Sequence, residues 1–207
     1  MDLKEAYSSL IAELIKKEYL KSDNIISTFF KVSRWEFLPE ELKGFSTSDE
    51  PIPIGYGQTM SAPHMVAIML ELLDIKEGEN ILEVGTGSGW NTALMAELTG
   101  PEGSITTIEY VKELHEQAKK NLEEFFNVEC IKGDGKEGYK KQAPYDKIIV
   151  TCAAKEIPKD LESQLADGGL IVIPIGSVIM QELIKGTKKG KWIEKENCGL
   201  CKFVPMV

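Results

Sequence analysis

Asn80-Ile81-Leu82-Glu83-Val84-Gly85-Thr86-Gly87-Ser88-Gly89-Trp90 decides the fold. It predicts a short apolar strand that finishes beside an acid, a tight turn, and the start of a helix. Gly85, Gly87 and Gly89 stand at every second position, giving backbone without Cβ where something must come close. A strand, glycine turn and helix in succession form a nucleotide-type cofactor site in open α/β sheets, with the ligand beyond the C-terminal strand ends. The dinucleotide fingerprint is G-x-G-x-x-G, with the pyrophosphate on the helix N-terminus. Here the spacing is G-x-G-x-G, and Trp90 stands where the third dinucleotide glycine would be. The Glu83 carboxylate repels a pyrophosphate and attracts a ligand that carries an ammonium and a sulfonium. S-Adenosylmethionine is such a ligand, so Glu83, Gly85, Thr86, Gly87 and Gly89 are candidate cofactor contacts. The alternative is a turn that only joins a strand to a helix.

The totals narrow the class. A chain of 207 residues fits one domain and can bury a full core. A formal net charge of −9 argues against sequence-independent nucleic-acid binding, which needs lysine and arginine to release counterions. Four scattered cysteines do not make a secreted disulfide scaffold. The charged start Met1-Asp2-Leu3-Lys4-Glu5 has no apolar signal core. No apolar run approaches the roughly 20 residues of a membrane helix. These features predict a cytoplasmic protein.

Working outward, residues 3–21 place Leu3, Ala6, Tyr7, Leu10, Ile11, Leu14 and Ile15 at helical spacing. Ser22 reads as the N-cap of a second helix through Phe30, and Pro39 suits a short helix. Residues 1–45 are therefore expected to form a helical cap. Residues 46–62 hold prolines, glycines and hydroxyls and read as a long functional loop, because Ile52, Ile54, Tyr56 and Met60 are too apolar for disorder. Ser61 then reads as the cap of a helix through Asp74, with Pro63 in its first turn. From 63 to the end, strands near 80–84, 104–109, 128–132, 145–151 and 169–175 alternate with helices near 89–99, 111–125 and 158–166. That order predicts a mostly parallel, doubly wound α/β sheet. Strand-like pieces near 179–185, 191–196 and 201–205 are expected to finish it with antiparallel strands.

Two further strand ends carry acids. Glu109 lies 20 residues after Gly89, where an acid is expected to hold the ribose hydroxyls of an adenosine. Asp134, in Gly133-Asp134-Gly135, can accept from an adenine amino group while the Gly135 backbone meets the ring edge. The plainer readings are a solvated strand-end acid and an ordinary Gly-Asp-Gly turn. Cys198-Gly199-Leu200-Cys201 lacks the two extra ligands a tetrahedral zinc would need, so no metal is expected. It reads as two small apolar residues between late strands.

A longer pattern runs through the chain. It comprises Arg34-Trp35-Glu36-Phe37-Leu38-Pro39, Pro53-Ile54-Gly55-Tyr56-Gly57-Gln58-Thr59-Met60-Ser61-Ala62-Pro63, the glycine turn, Gly133 to Gly138, Ile149 to Ala154, Ile173-Pro174-Ile175-Gly176 and Phe203-Val204-Pro205-Met206. From about residue 30 onward this resembles the protein-L-isoaspartate O-methyltransferase family, most specifically over Pro53–Pro63. The resemblance implies a class I, Rossmann-like methyltransferase fold. It also implies methyl transfer from S-adenosylmethionine to the free carboxylate of isoaspartyl, and D-aspartyl, residues in damaged proteins. The products are S-adenosylhomocysteine and an ester that closes to a succinimide, whose hydrolysis returns some normal aspartate. It places the catalytic serine at Ser61, puts Ile54, Gln58, Thr59 and Val204 on the peptide side, sets Gln181 at the border of the site, and implies a monomer. His64 receives no role.

The residues suit that chemistry. A carboxylate with a pKa near about 4 is already ionised at neutral pH, so no general base is required. A methyltransferase acting on RNA or a small molecule, and a non-catalytic peptide-binding adaptor on the same fold, are the competing readings.

Overall fold

Alternation at a period of two shapes the centre of the protein. The computed structural model describes residues 2–206. In it the strand Asn80–Val84 (β3) sends Ile81 to one core layer and Leu82 and Val84 to the other. Ile149 and Ile148 divide the same way on the neighbouring strand Tyr145–Val150 (β6). A strand apolar on both faces must be covered on both, and parallel sheets are built that way.

The sheet has seven strands in the order β5-β4-β3-β6-β7-β8-β9. Ser104–Glu109 (β4) and Val128–Lys132 (β5) lie on one side of β3. On the other side follow β6 and Leu165–Gly176 (β7), with Gln181–Lys189 (β8) and Trp192–Cys201 (β9) beyond them. The first five run parallel, and β8 and β9 are antiparallel. The chain starts in the middle at β3, walks out to β5 and returns to β6. The order therefore reverses between β3 and β6, which is where a ligand crevice opens in such sheets.

Helices Leu3–Lys16 (α1), Asp23–Lys31 (α2), Pro63–Leu73 (α3), Trp90–Thr99 (α4) and Lys112–Asn121 (α5) contribute to one core layer. Lys159–Gln164 (α6) contributes Leu161 to the other. The expected helical cap is α1, α2 and two 3-10 turns at Arg34–Phe37 and Glu40–Thr47. Ser22 does stand at the N-cap of α2, but its hydroxyl donates to Glu71 on α3 at 2.6 Å instead of to its own helix.

Four expectations need correction. The proline-rich stretch is not a plain loop: Ile52–Gly55 (β1) and Gln58–Met60 (β2) pair as an antiparallel hairpin. Its turn residues Tyr56 and Gly57 have φ of 54° and 72°, the signature of a two-residue type I′ turn. Helix α5 stops at Asn121, because Leu122 drops under Gly89 and the Asn121 amide donates to the Ser88 carbonyl at 2.9 Å. Cys198 and Cys201 lie within β9, not between strands. Beyond Cys201 the described residues hold no further strand, and an isolated bridge joins Pro205 to Ala153.

Candidate active site

At the switch point a cavity opens over the strand ends. Gly85 and Gly87 face it from the turn, Glu109 and Tyr110 from the end of β4, and Gly135, Thr151 and Cys152 from the ends of β5 and β6. The turn takes φ values of 95°, 56° and 90° at Gly85, Gly87 and Gly89. A side chain would strain each of these. A Cβ on Gly85 would fall 2.4 Å from Thr151 Oγ1, and one on Gly135 would fall 2.2 Å from Val84 Cγ1. The floor is thus bare backbone pressed against neighbouring strand ends. Glu109 braces it: one carboxylate oxygen accepts from Gly87 N–H and the other from Val111 N–H, each at 2.9 Å.

Of the expected cofactor residues, Gly85, Gly87, Glu109 and Gly135 line this cavity, whereas Glu83, Thr86, Gly89, Asp134 and Gln181 do not. Strand alternation gives the reason for Glu83. Its side chain shares a face with Ile81 and turns beneath α4, where it is fully buried. There it accepts from Asn91, Thr92 and Thr107. Burial pushes its pKa up to about 7 against the pull of those three hydrogen bonds. Thr86 is buried against the Thr107 hydroxyl at 2.6 Å. Gly89 is the N-cap of α4 and packs on Leu122. Asp134 caps a 3-10 turn by accepting from Lys136 N–H.

A second cleft lies beside the first. Ser61, His64 and Phe203 border it, and Thr59, Thr151 and Val204 line both cavities. Gln58 faces the first cavity, and Ile54 leans toward Gly87, 3.5 Å from where a Cβ would stand. The capping role expected of Ser61 is not seen. Ala62 is the N-cap of α3, and among the described residues the Ser61 hydroxyl has no hydrogen-bond partner. Asp49 supplies the cap instead: its Oδ1 accepts from His64 N–H and meets His64 Nδ1, each at 2.9 Å. Burial alone would raise the Asp49 pKa, but the His64 hydrogen bonds outweigh it and hold the carboxyl below its usual value.

Arg34 fixes this loop from below. It is fully buried, and its guanidinium donates to the carbonyls of Ser48, Glu50 and Ser61 at 2.8–3.0 Å. Its Cζ lies 5.4 Å from the Trp90 ring centroid, a cation–π distance. One side chain therefore ties the Ser61 loop to the helix that follows the glycine turn.

The family model for protein-L-isoaspartate (D-aspartate) O-methyltransferase matches residues 5–207. The chain belongs to the protein-L-isoaspartate O-methyltransferase family. A Thermosipho melanesiensis member named for that activity is 48% identical over 193 residues, covering 92% of this chain and 98% of the relative. A Pyrococcus horikoshii member of the same name is 47% identical, covering 100% of this chain and 96% of its own. Among solved structures, one from Plasmodium falciparum, described as a protein-L-isoaspartate O-methyltransferase in complex with S-adenosyl-L-homocysteine, is similar at a TM-score of 0.87 and 28% identity. That match covers 97% of this chain and 98% of the other.

Reading the sequence missed Arg34, Asp49, Thr151 and Cys152 as parts of this methyltransferase site. Thr151 and Cys152 stand within the family pattern over Ile149 to Ala154, and their place just past β6 is the signal that marks them. Arg34 opens the family pattern, but nothing local shows that Arg34 or Asp49 supports the site, since their partners lie 14 or more residues away. Among the described residues no group of three or more His, Cys, Asp or Glu side chains could hold a metal ion.

Proposed function

We propose that this protein transfers a methyl group from S-adenosylmethionine to the free carboxylate of L-isoaspartyl residues, and of D-aspartyl residues, in damaged proteins and peptides. The resulting ester then closes to a succinimide that can return to aspartate. One observation carries the reading. The glycine-floored cavity and the cleft holding the unpartnered Ser61 hydroxyl share Thr59, Thr151 and Val204 as a common border.

The residues present fit the cofactor. Gly85, Gly87 and Gly135 leave the backbone bare where it would lie, and Glu109 offers carboxylate lone pairs beside the cavity. When bound, the cofactor supplies an electrophilic methyl. The chain's own task is placement, because the incoming carboxylate is ionised at neutral pH and needs no base. Ser61 and Thr59 hydroxyls hold it without a full positive charge, which would blunt it. Arg34 directs its charge to main-chain carbonyls and not into the cleft. Asp49 already occupies the N-terminus of α3, so the helix dipole does not capture the substrate. What remains is to hold the oxygen at roughly 3–3.5 Å and in line. Ile54, Gln58 and Val204 shape the walls on either side.

The peptide is read as an extended chain along residues 200–204. Supporting this, Lys202 C=O and Val204 N–H have no hydrogen-bond partner among the described residues. A cytoplasmic location fits the four unpaired cysteines, and the monomer rests on the family resemblance alone. The test offers labelled S-adenosylmethionine with an isoaspartyl peptide and with its normal aspartyl twin. Label on the isoaspartyl peptide alone is expected; equal or absent labelling of both would end the proposal.

A further inference from the structure

Gln181 opens β8 and is 1% exposed. Its backbone pairs with Cys201, the last residue of β9. Past Cys201 the ladder ends, and the Gln181 side chain continues it. Oε1 accepts from Phe203 N–H at 2.6 Å, and Nε2 donates to the Phe203 carbonyl at 3.1 Å. Nε2 also donates to the Ser177 carbonyl at 3.0 Å. A primary amide carries both an acceptor and donors at any pH, so it can stand in for a neighbouring strand. The opposite flank is held by Ala153. Its N–H donates to the Val204 carbonyl at 2.8 Å, and its carbonyl accepts from Met206 N–H at 2.9 Å. Val204, clamped between the two, is one of the three residues that line both cavities. Gln181 itself lines neither.

We infer that Gln181 is a positioning residue for the peptide side of the reaction: through Phe203 it sets Val204 at the border between cofactor and substrate. The inference rests on the proposed function and deepens it. Its amide is committed to three main-chain groups, so it makes no contact with the cofactor. Removing the amide frees the segment 202–204 to shift, which widens the substrate wall and leaves the glycine floor as it was.

Steady-state kinetics on the isoaspartyl peptide, with calorimetry of S-adenosylhomocysteine, test this on wild type, Gln181→Ala and Gln181→Glu. In Gln181→Ala the KM for peptide is expected to rise about tenfold, a loss on the scale of one or two hydrogen bonds. The fall in kcat should be smaller and the affinity for S-adenosylhomocysteine unchanged. Gln181→Glu should resemble Gln181→Ala at pH 8. At pH 6 it should recover part of the loss, because a buried, protonated carboxyl offers one acceptor and one donor. The titratable groups nearby are Cys201, against the Gln181 carbonyl, and Lys136, Lys155 and Glu156, on the adjoining cavity. All three proteins share them, so they cancel in the comparison. Should Gln181→Ala not fold, the pH-dependent recovery of Gln181→Glu still decides. An unchanged KM, a matching loss of cofactor affinity, or a Gln181→Glu variant without recovery would each overturn the role. A wild type that does not prefer the isoaspartyl peptide would contradict the proposed function instead.

Discussion

Glu83 and Ser61 exchange the parts that their places in the chain suggest. Glu83 stands at the lip of the site in sequence, yet its carboxylate is buried under α4 with a pKa of about 7. Its native pKa lies above the ordinary 4.5, so between those values the native state holds a proton that the unfolded chain has released. Stability from this group is therefore fully present below about pH 4.5 and lost as pH rises through 7. Compared with Glu83→Gln, which does not titrate, wild type should lose on the order of 3 kcal/mol between pH 4.5 and 8, read from urea unfolding at each pH. Parallel curves for the two proteins would refute it. Ser61 looks like a helix cap in sequence, but its hydroxyl is free. Ser61→Ala should therefore change unfolding free energy by less than about 0.5 kcal/mol. Turnover should fall roughly 10–100-fold, with cofactor affinity kept. A loss of stability without loss of turnover would restore the capping role. Both side chains were legible as important from their motifs. The resemblance also assigned Ser61 its catalytic role; the burial of Glu83 and the free hydroxyl of Ser61 were not legible, because face and partner depend on residues far along the chain.

The elements around the site were legible in proportion to how local their causes are. Strands β3, β4, β5 and β6 came out at their expected places: β3, β4 and β5 end at a glycine or an acid, and β6 closes on the apolar run Ile148-Ile149-Val150. The β1–β2 hairpin was hidden. Pro53 removes a ladder donor, and the type I′ turn puts Tyr56 where glycine or asparagine is usual. The cap of α3 was misread because it comes from Asp49, 15 residues earlier, across that hairpin. The glycine turn gives the prediction that belongs at this scale. Gly85→Ala would place a methyl 2.4 Å from Thr151 Oγ1 at a φ of 95°. The turn or Thr151 must move to admit it, which displaces the cavity floor, so affinity for S-adenosylhomocysteine should drop at least about tenfold by calorimetry. Gly44→Ala, with nothing within 4 Å, is the control and should bind normally. Equal binding by both variants would mean the cofactor does not sit over that turn.

Across the whole molecule, the sheet topology accounts for why two cavities meet. The reversal between β3 and β6 opens the first, and the return of the chain past β9 lays residues 200–206 over its edge. The antiparallel finish of the sheet was readable from alternation after residue 178. That the tail would be held by one buried glutamine was not, since no local pattern encodes a side chain that acts as a strand. No helix of the described residues is long and apolar enough to cross a membrane. The central claim is that cofactor and damaged carboxylate approach one another across Thr59, Thr151 and Val204. A crystal structure with S-adenosylhomocysteine and an isoaspartyl peptide bound together tests it directly. The account predicts the cofactor's sulfur over Gly85 and Gly87, and the peptide carboxylate across that border within hydrogen-bond reach of Ser61. Both ligands on one side of the border, or the carboxylate away from Ser61, would contradict it.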